Sequence, residues 1–174
     1  AGHELPIVLD AAGEAVAMFA PGLPEPSHPQ HAAARDGVSC TACHQIRPDR
    51  LGTPESFTGG YVIDTATVAP DRLAFGPFAA PMQNQMRGVA GFTPVEGAHT
   101  RDSALCAACH TLYTPTVDAT GTIVGSLPEQ TPYLEWQHSR FGDGEGEDRS
   151  CQQCHMPAAA GGVVISNRPG GRQL

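Results

Sequence analysis

The sequence predicts a mainly α-helical and irregular coil fold with little β structure, and three observations lead to this prediction. The chain has 174 residues, the usual size of one domain. It contains 20 glycines and 16 prolines but only 6% aromatic residues, so turns are frequent and the bulky side chains that usually fill a core are scarce. Its helix-forming segments are short. We therefore expect something other than polypeptide to supply part of the buried surface.

Secondary structure is expected in short pieces along the chain. Prolines exclude a long helix between Pro21 and Pro29. Ser103 and Thr131 are candidate N-caps for two of the three predicted helices, which cover residues 30–35, 103–112 and 132–140. Residues 56–75, around 61–63, are expected to form short strands, and residues 116–127 a small hairpin.

Composition also divides the chain into three sections. Residues 1–36 are predicted to form a proline-rich N-terminal arm, residues 37–160 a domain that contains every cysteine, and residues 161–174 a glycine-rich C-terminal arm. The cysteine-containing segments recur at unequal intervals, which argues against a simple tandem repeat.

All six cysteines occur in three copies of one pattern, Cys-x-x-Cys-His. In this pattern the two thiols add to the vinyl groups of a haem, and the histidine becomes the proximal ligand of its iron. With eight histidines in 174 residues, three such placements have a chance probability on the order of 10⁻⁴. The sequence therefore predicts a compact multihaem cytochrome c domain organised around three covalently attached haem c groups. The copies are Cys40, Cys43 and His44; Cys106, Cys109 and His110; and Cys151, Cys154 and His155.

Zinc and disulfides explain this pattern poorly. Structural zinc takes four ligands, usually from two Cys-x-x-Cys pairs, so three pairs would leave one pair unmatched. Zinc also has no need for a histidine directly after the second cysteine. A disulfide across two residues is a redox-active geometry rather than a structural link, and it does not explain the histidines either.

The remaining histidines are candidates for the distal iron ligands. A histidine shortly before a haem motif often ligates a neighbouring haem rather than the haem of its own motif. His31, His99 and His138 precede the three motifs in turn, and His28 ranks behind His31. Methionine would raise the reduction potential, but we expect Met18, Met82 and Met86 to be packing residues. Bis-histidine ligation is favoured, which predicts low potentials and electron transfer.

Charge and hydropathy exclude other classes of function. The formal charge is −8 with only ten scattered Lys and Arg residues, which argues against nucleic acid as a partner. No run of eighteen apolar residues is present, so no membrane-spanning segment is expected. The chain starts with Ala1 and Gly2, as expected of a mature exported protein of the periplasm or the extracellular space of a bacterium or archaeon.

The region of the third motif resembles the multihaem cytochrome c superfamily that includes hydroxylamine oxidoreductase and the tetrahaem cytochromes of nitrifying bacteria. Two segments, 131–136 and 150–157, carry this resemblance. In that superfamily a Glu-Trp-x-x-Ser-x-His helix often delivers a distal histidine. Here Glu135 and Trp136 are followed by Phe141 at the histidine position, and a histidine stands instead at position 138.

Residues 52–57 and 91–99 are similar to parts of larger bacterial multihaem cytochromes, so the resemblance covers about 37–162 and the chain is interpreted as a possible fragment of one. The subunits of extracellular cytochrome filaments are also similar, which implies other redox proteins or copies of the same chain as partners. The expected function is electron transfer through three closely spaced haems. Two alternatives stay open. One is a redox enzyme, such as a nitrogen- or sulfur-oxyanion reductase or a hydroxylamine-type oxidase, with one open iron lined by Tyr113, Tyr133, Arg101 or Arg140. The other is a docking module of a larger complex.

Overall fold

The structure is a computed structural model that describes residues 8–9, 15–16, 26–36, 38–142, 144 and 146–161. The chain divides into two compact units, Ala1–Cys43 and His44–Leu174. The division falls within helix α2 (Cys40–Gln45). Most residues of the two predicted terminal arms lie outside the described residues, and so do His3 and Met18. The boundaries of the arms therefore stay predictions. Within the described residues, no helix has the length and apolar character needed to cross a membrane.

Among the described residues of the first unit, two very short strands and one helix precede α2. Strand β1 (Val8–Leu9) pairs antiparallel with β2 (Ala15–Val16). Helix α1 (His31–Asp36) begins one residue after the predicted start, and its first amide donates to His28 O at 2.9 Å.

A small β-α-β arrangement forms the central part of the second unit. Strand β3 (Leu73–Gly76) pairs in parallel with β4 (Thr93–Glu96), and helix α3 (Gln83–Val89) connects them. The amide of Gly97 then donates to Gly76 O at 2.8 Å, immediately before a 3₁₀ helix, Ala98–Arg101. This arrangement places the 3₁₀ helix beside the end of β3. The strand expected at 61–63 is wrong, because only an isolated bridge between Ile46 and Ile63 occurs there.

The predicted hairpin is confirmed and is longer than expected. Strand β5 (Leu112–Val117) pairs antiparallel with β6 (Ile123–Gln130). The carboxylate of Asp118 organises the turn by accepting bonds from the amides of Thr120 and Thr122 at 2.8 and 3.0 Å. These bonds and one from the Thr120 hydroxyl lower the pKa of Asp118, since they stabilise its ionised form. Every residue of β6 is exposed.

Three further helices lie near the second and third motifs. They are α4 (Ala104–Ala107), α5 (Pro132–Gln137) and α6 (Cys151–His155). Ser103 and Thr131 occupy the N-cap positions of α4 and α5, as predicted, but neither side chain accepts a hydrogen bond from its helix. Asp102 Oδ1 instead accepts from the Ala104 amide at 2.8 Å. Helix α6 begins with a capping box, in which Ser150 and Gln153 satisfy each other's amides.

The described residues contain few large buried side chains. Their buried hydrophobic residues are Ile46, Ala74, Ala107, Ala108 and Tyr133. Thirteen large hydrophobic residues are exposed in the same part of the chain, among them Val38, Phe78 and Val89. Because apolar burial is the main favourable contribution to folding, this polypeptide supplies unusually little of it by itself.

Tyr133 is the largest of these buried hydrophobic side chains. Its ring stacks on Trp136 at a centroid distance of 5.7 Å and meets the edge of Phe57 at 6.1 Å. Its hydroxyl accepts a bond from Gln137 Nε2 at 3.1 Å. Burial, reinforced by the carboxylate of Asp102, raises the pKa of Tyr133, so the phenol is neutral at neutral pH.

We predict that Tyr133→Ala lowers the free energy of unfolding by about 3–5 kcal/mol, because it leaves a cavity where the aromatic cluster packs. The control is Phe78→Ala, which removes an aromatic ring that is 60% exposed and is expected to cost about 0.5 kcal/mol or less. Guanidinium unfolding followed by circular dichroism measures both values. Equal losses in the two variants would contradict this description of the core.

Candidate functional site

The first motif lies on helix α2, with Cys40, Cys43 and His44 all exposed. Nδ1 of His44 donates a hydrogen bond to the backbone oxygen of Phe75, at the end of β3. This bond fixes the tautomer, because the proton is held on Nδ1 and the lone pair is left on Nε2. A histidine prepared in this way can bind a metal through Nε2.

His99 contacts two residues that lie next to the first motif, Ile46 and Phe75. Its Nε2 donates to the backbone oxygen of Ile46 at 2.9 Å, and its half-buried ring makes a T-shaped contact with the ring of Phe75 at a centroid distance of 4.9 Å. Gly97 allows this approach, since a Cβ there would lie 2.8 Å from Cε1 of His99 and 2.9 Å from Cβ of Phe75. Phe75 therefore contacts both His44 and His99.

Charged side chains lie next to Phe75. Arg47, Arg72 and Asp64 line a small depression that Phe75 also borders. The pKa of Asp64 is lowered, because its carboxylate accepts bonds from the hydroxyl and amide of Thr67 and from the amide of Ala66. Asp64 is consequently ionised at neutral pH. Arg47 also forms an ion pair with Asp49 at 2.9 Å, so the two arginines of the depression are balanced by two carboxylates.

The second motif is held by backbone bonds on two sides. Cys106 is on α4, while Cys109 and His110 follow the helix and are exposed. The two intervening alanines, Ala107 and Ala108, have no exposed surface, and Ala108 O accepts from the Gly59 amide at 2.8 Å. Larger residues would not fit between the cysteines without displacing this loop.

One serine, Ser103, binds the first residue of both the second and the third motif. The hydroxyl of Ser103 accepts from the amide of Cys151 at 3.0 Å, while its backbone oxygen accepts from the amide of Cys106 at 2.9 Å. Gln152 adds bonds from its side-chain nitrogen to Thr100 O and Asp102 O at 3.3 and 2.8 Å. Ser103 is 1% exposed. Helices α4 and α6, which carry the two motifs, are thus fixed side by side at their N-terminal ends.

An open cleft of about 440 Å³ lies beside the third motif. Cys154 and His155 of this motif are exposed. Among the described residues that line the cleft, Arg101 is the one charged residue, and its guanidinium donates to Pro77 O. The lining residues are Arg101, Ser150, Gln152, Gln153, Met156, Pro157 and Ala158.

The other predicted distal histidines have less informative surroundings. His138 directly follows α5 and is exposed, although Trp136 ties that helix to the segment before the third motif through a 2.7 Å bond to Arg149 O. His28 Nδ1 accepts from the amide of Gln30 at 3.0 Å. His31 starts α1 in the first unit. Met82 and Met86 are exposed on or beside α3.

The predicted pocket residues of an enzyme have separate surroundings. Tyr133 packs in the aromatic cluster, and Arg140 lies over the ring of Phe141 at 4.8 Å. Tyr113 lies on β5, where its amide donates to Thr58 Oγ1 at 3.1 Å. Arg101 lines the cleft beside α6.

The residues at the motifs fit covalent haem attachment. None of the six cysteines is joined in a disulfide, and each is at least partly exposed. Two buried polar atoms without a hydrogen-bond partner, Thr111 Oγ1 and Gln152 Oε1, lie directly beside His110 and within the third motif. Such atoms are normally paired, so a bound group or water is expected next to them. Among the described residues, no three histidine, cysteine or carboxylate side chains are grouped to hold a bare metal ion.

Comparison with known proteins does not identify a relative. No protein-family model, no curated protein and no solved structure matches the chain. The assignment of a function therefore depends on the motifs and on the contacts described above.

Sequence reasoning missed three residues that organise the site. Phe75 binds His44 through its backbone oxygen, and a contact of the backbone cannot be predicted from the type of residue. Ser103 was expected as a helix cap but bonds Cys151 instead, 48 positions away. Gly97, two residues before His99, had a signal in the sequence, since glycine often marks a close approach of neighbouring groups.

We predict that Ser103→Ala lowers the free energy of unfolding by about 1–3 kcal/mol, because the amide of Cys151 loses its acceptor in a part-buried place. Ser126→Ala on the exposed strand β6 is the matched control, with an expected change within about 0.5 kcal/mol. Chemical unfolding of the full chain measures both. An unchanged stability in Ser103→Ala would refute the proposed link between the two motif helices.

Proposed function

We propose that the chain is a multihaem c-type cytochrome domain that covalently holds three haem c groups and transfers electrons. The observation that carries the proposal is the repetition of one arrangement. Each Cys-x-x-Cys-His sequence lies on, or directly after, a short helix, with two cysteines outside disulfides and an exposed histidine next to them.

Each residue of the motifs has a defined task under this proposal. The cysteine pairs form the thioether links, and His44, His110 and His155 are the proximal ligands. Haem iron, when bound, supplies a centre that gains and loses one electron at a time. The bond from His44 to Phe75 O orients the imidazole and increases its basicity toward the metal.

The arrangement of the second and third motifs supports a relay rather than isolated sites. Ser103 holds the N-terminal ends of α4 and α6 together, so the residues that attach these two haems belong to one rigid segment. A fixed spacing between redox centres favours electron transfer, because no motion of the protein is needed between one step and the next.

Histidine supply also supports a relay. His31, His99 and His138, with His28 behind them, provide enough candidate distal ligands for three irons, so bis-histidine ligation is proposed throughout. Saturated irons bind no substrate, and this favours transfer of electrons over chemistry at the metal.

A redox enzyme is the second candidate, and one observation favours it. The cleft beside α6 contains Arg101 and is large enough for a small oxyanion, the substrate class of a nitrogen- or sulfur-oxyanion reductase. A hydroxylamine-type oxidase is the related alternative that the resemblance implies. Either enzyme requires an open iron position at the third motif.

We further propose an exported location, in the periplasm or outside the cell, by resemblance to multihaem cytochromes. The partners would be other redox proteins or copies of this chain, as in a cytochrome filament. A formal charge of −8 would steer a basic partner toward the surface and would make the association rate fall with ionic strength.

We predict that the oxidised protein gives only low-spin ferric signals in electron paramagnetic resonance, and that nitrite, hydroxylamine and cyanide leave them unchanged. The reason is that, under this proposal, His44, His110 and His155 together with the candidate distal histidines would leave no iron open to an added ligand. A high-spin signal that shifts on adding nitrite or hydroxylamine would contradict the relay and support the enzyme.

A further inference from the structure

The residues that His99 contacts lie next to the first motif, although His99 itself lies just before the second motif in the sequence. Both contacts of its ring are near His44: Ile46 follows His44 by two residues, and Phe75 accepts the hydrogen bond of His44 itself. His44, Ile46, Phe75 and His99 all belong to the second unit.

We propose that His99 is the distal ligand of the iron whose proximal ligand is His44. This inference rests on the proposed function, since it requires a haem at the first motif. It assigns one distal ligand to one iron, and the two axial histidines come from segments 55 residues apart.

The hydrogen bonds of the two rings suit this role. A ligand histidine uses one nitrogen for the metal and the other for a bond that fixes the ring. His44 bonds protein through Nδ1, which leaves Nε2 for iron. His99 bonds Ile46 O through Nε2 at 2.9 Å, which leaves Nδ1 for iron in the orientation of the structure.

Rigid surroundings hold His99 in place. The 3₁₀ helix Ala98–Arg101 is tied to β3 by the 2.8 Å bond between Gly97 and Gly76, and Thr100 Oγ1 donates to Gly97 O at 2.7 Å. Phe75 covers one edge of the ring. Phe75 and Gly97 are therefore positioning residues, which act on the iron through His44 and His99.

The position of His99 in the sequence, seven residues before Cys106, favours the second motif, whereas its contacts with Ile46 and Phe75 favour the first. The assignment follows these contacts.

The test uses the full chain with haem attached and compares His99→Ala with Ala98→Ser, a control at an exposed residue of the same 3₁₀ helix. Haem per chain is measured by pyridine haemochrome absorbance, and spin state by electron paramagnetic resonance. We expect His99→Ala to keep three haems and to convert one of them to high spin, which added imidazole returns to low spin. Ala98→Ser should stay fully low spin. A fully low-spin His99→Ala with three haems would overturn the proposal.

A second pair of variants identifies which iron His99 serves. Cys40→Ala with Cys43→Ala removes the first haem and should leave two low-spin haems. Adding His99→Ala to that background should produce no new high-spin signal. A new high-spin signal there would overturn the assignment, because His99 would then ligate the second or third iron.

A conservative variant guards against loss of folding or haem. His99→Met keeps a ligand at the same position and should raise one of the three reduction potentials while the other two stay constant. Unchanged potentials would overturn the proposal. Absence of covalent haem from the unsubstituted chain is a different result, since it would refute the proposed function itself.

Discussion

The shortage of large buried side chains is the constraint on which the rest of the structure depends. Ordering the backbone costs about 1–2 kcal/mol per residue, and apolar burial must offset most of it. In the described part of this chain, the fully buried side chains include Thr111, Ser56 and Ser103, while thirteen large hydrophobic residues are exposed. Large, mostly apolar groups attached by covalent bonds would cover such surfaces without the entropy cost of a separate binding step. Stability and cofactor attachment are then the same problem for this protein.

Two residues connect this constraint to the arrangement of the sites. Ser103 uses its hydroxyl for one motif helix and its backbone oxygen for another, so the second and third motifs share an anchor. Phe75 does the same at the first motif, with its oxygen bonded to His44 and its ring against His99. Ser103 and Phe75 can set the positions of the residues that would contact a cofactor without contacting the cofactor themselves. Under the proposed function, the polypeptide would act mainly as a frame that fixes the haem ligands.

Local features of the sequence were sufficient to predict the motifs, the three helical segments and the hairpin. The observed helix α1 is shifted by one residue from the predicted helix. The agreement is close because periodicity and composition report local helical preference. Helix α4 is much shorter than expected, since β5 begins at Leu112 where continued helix was predicted. Strand β3 (Leu73–Gly76) lies largely within the segment 56–75 that was expected to form short strands, but β4 and its pairing with β3 were missed, because β4 contains Pro94, which is unusual inside a strand. The contact of His99 with Ile46 spans 53 positions, and such pairings follow from packing that one sequence does not display.

The measurement that tests the central claim most directly is the mass of the denatured chain, isolated from a host that matures c-type cytochromes, together with its iron content. The account predicts three haems that remain attached after denaturation, and a loss of one haem for each motif whose two cysteines are changed to alanine. A denatured chain without attached haem, or a haem content that does not depend on the cysteine pairs, would contradict the account.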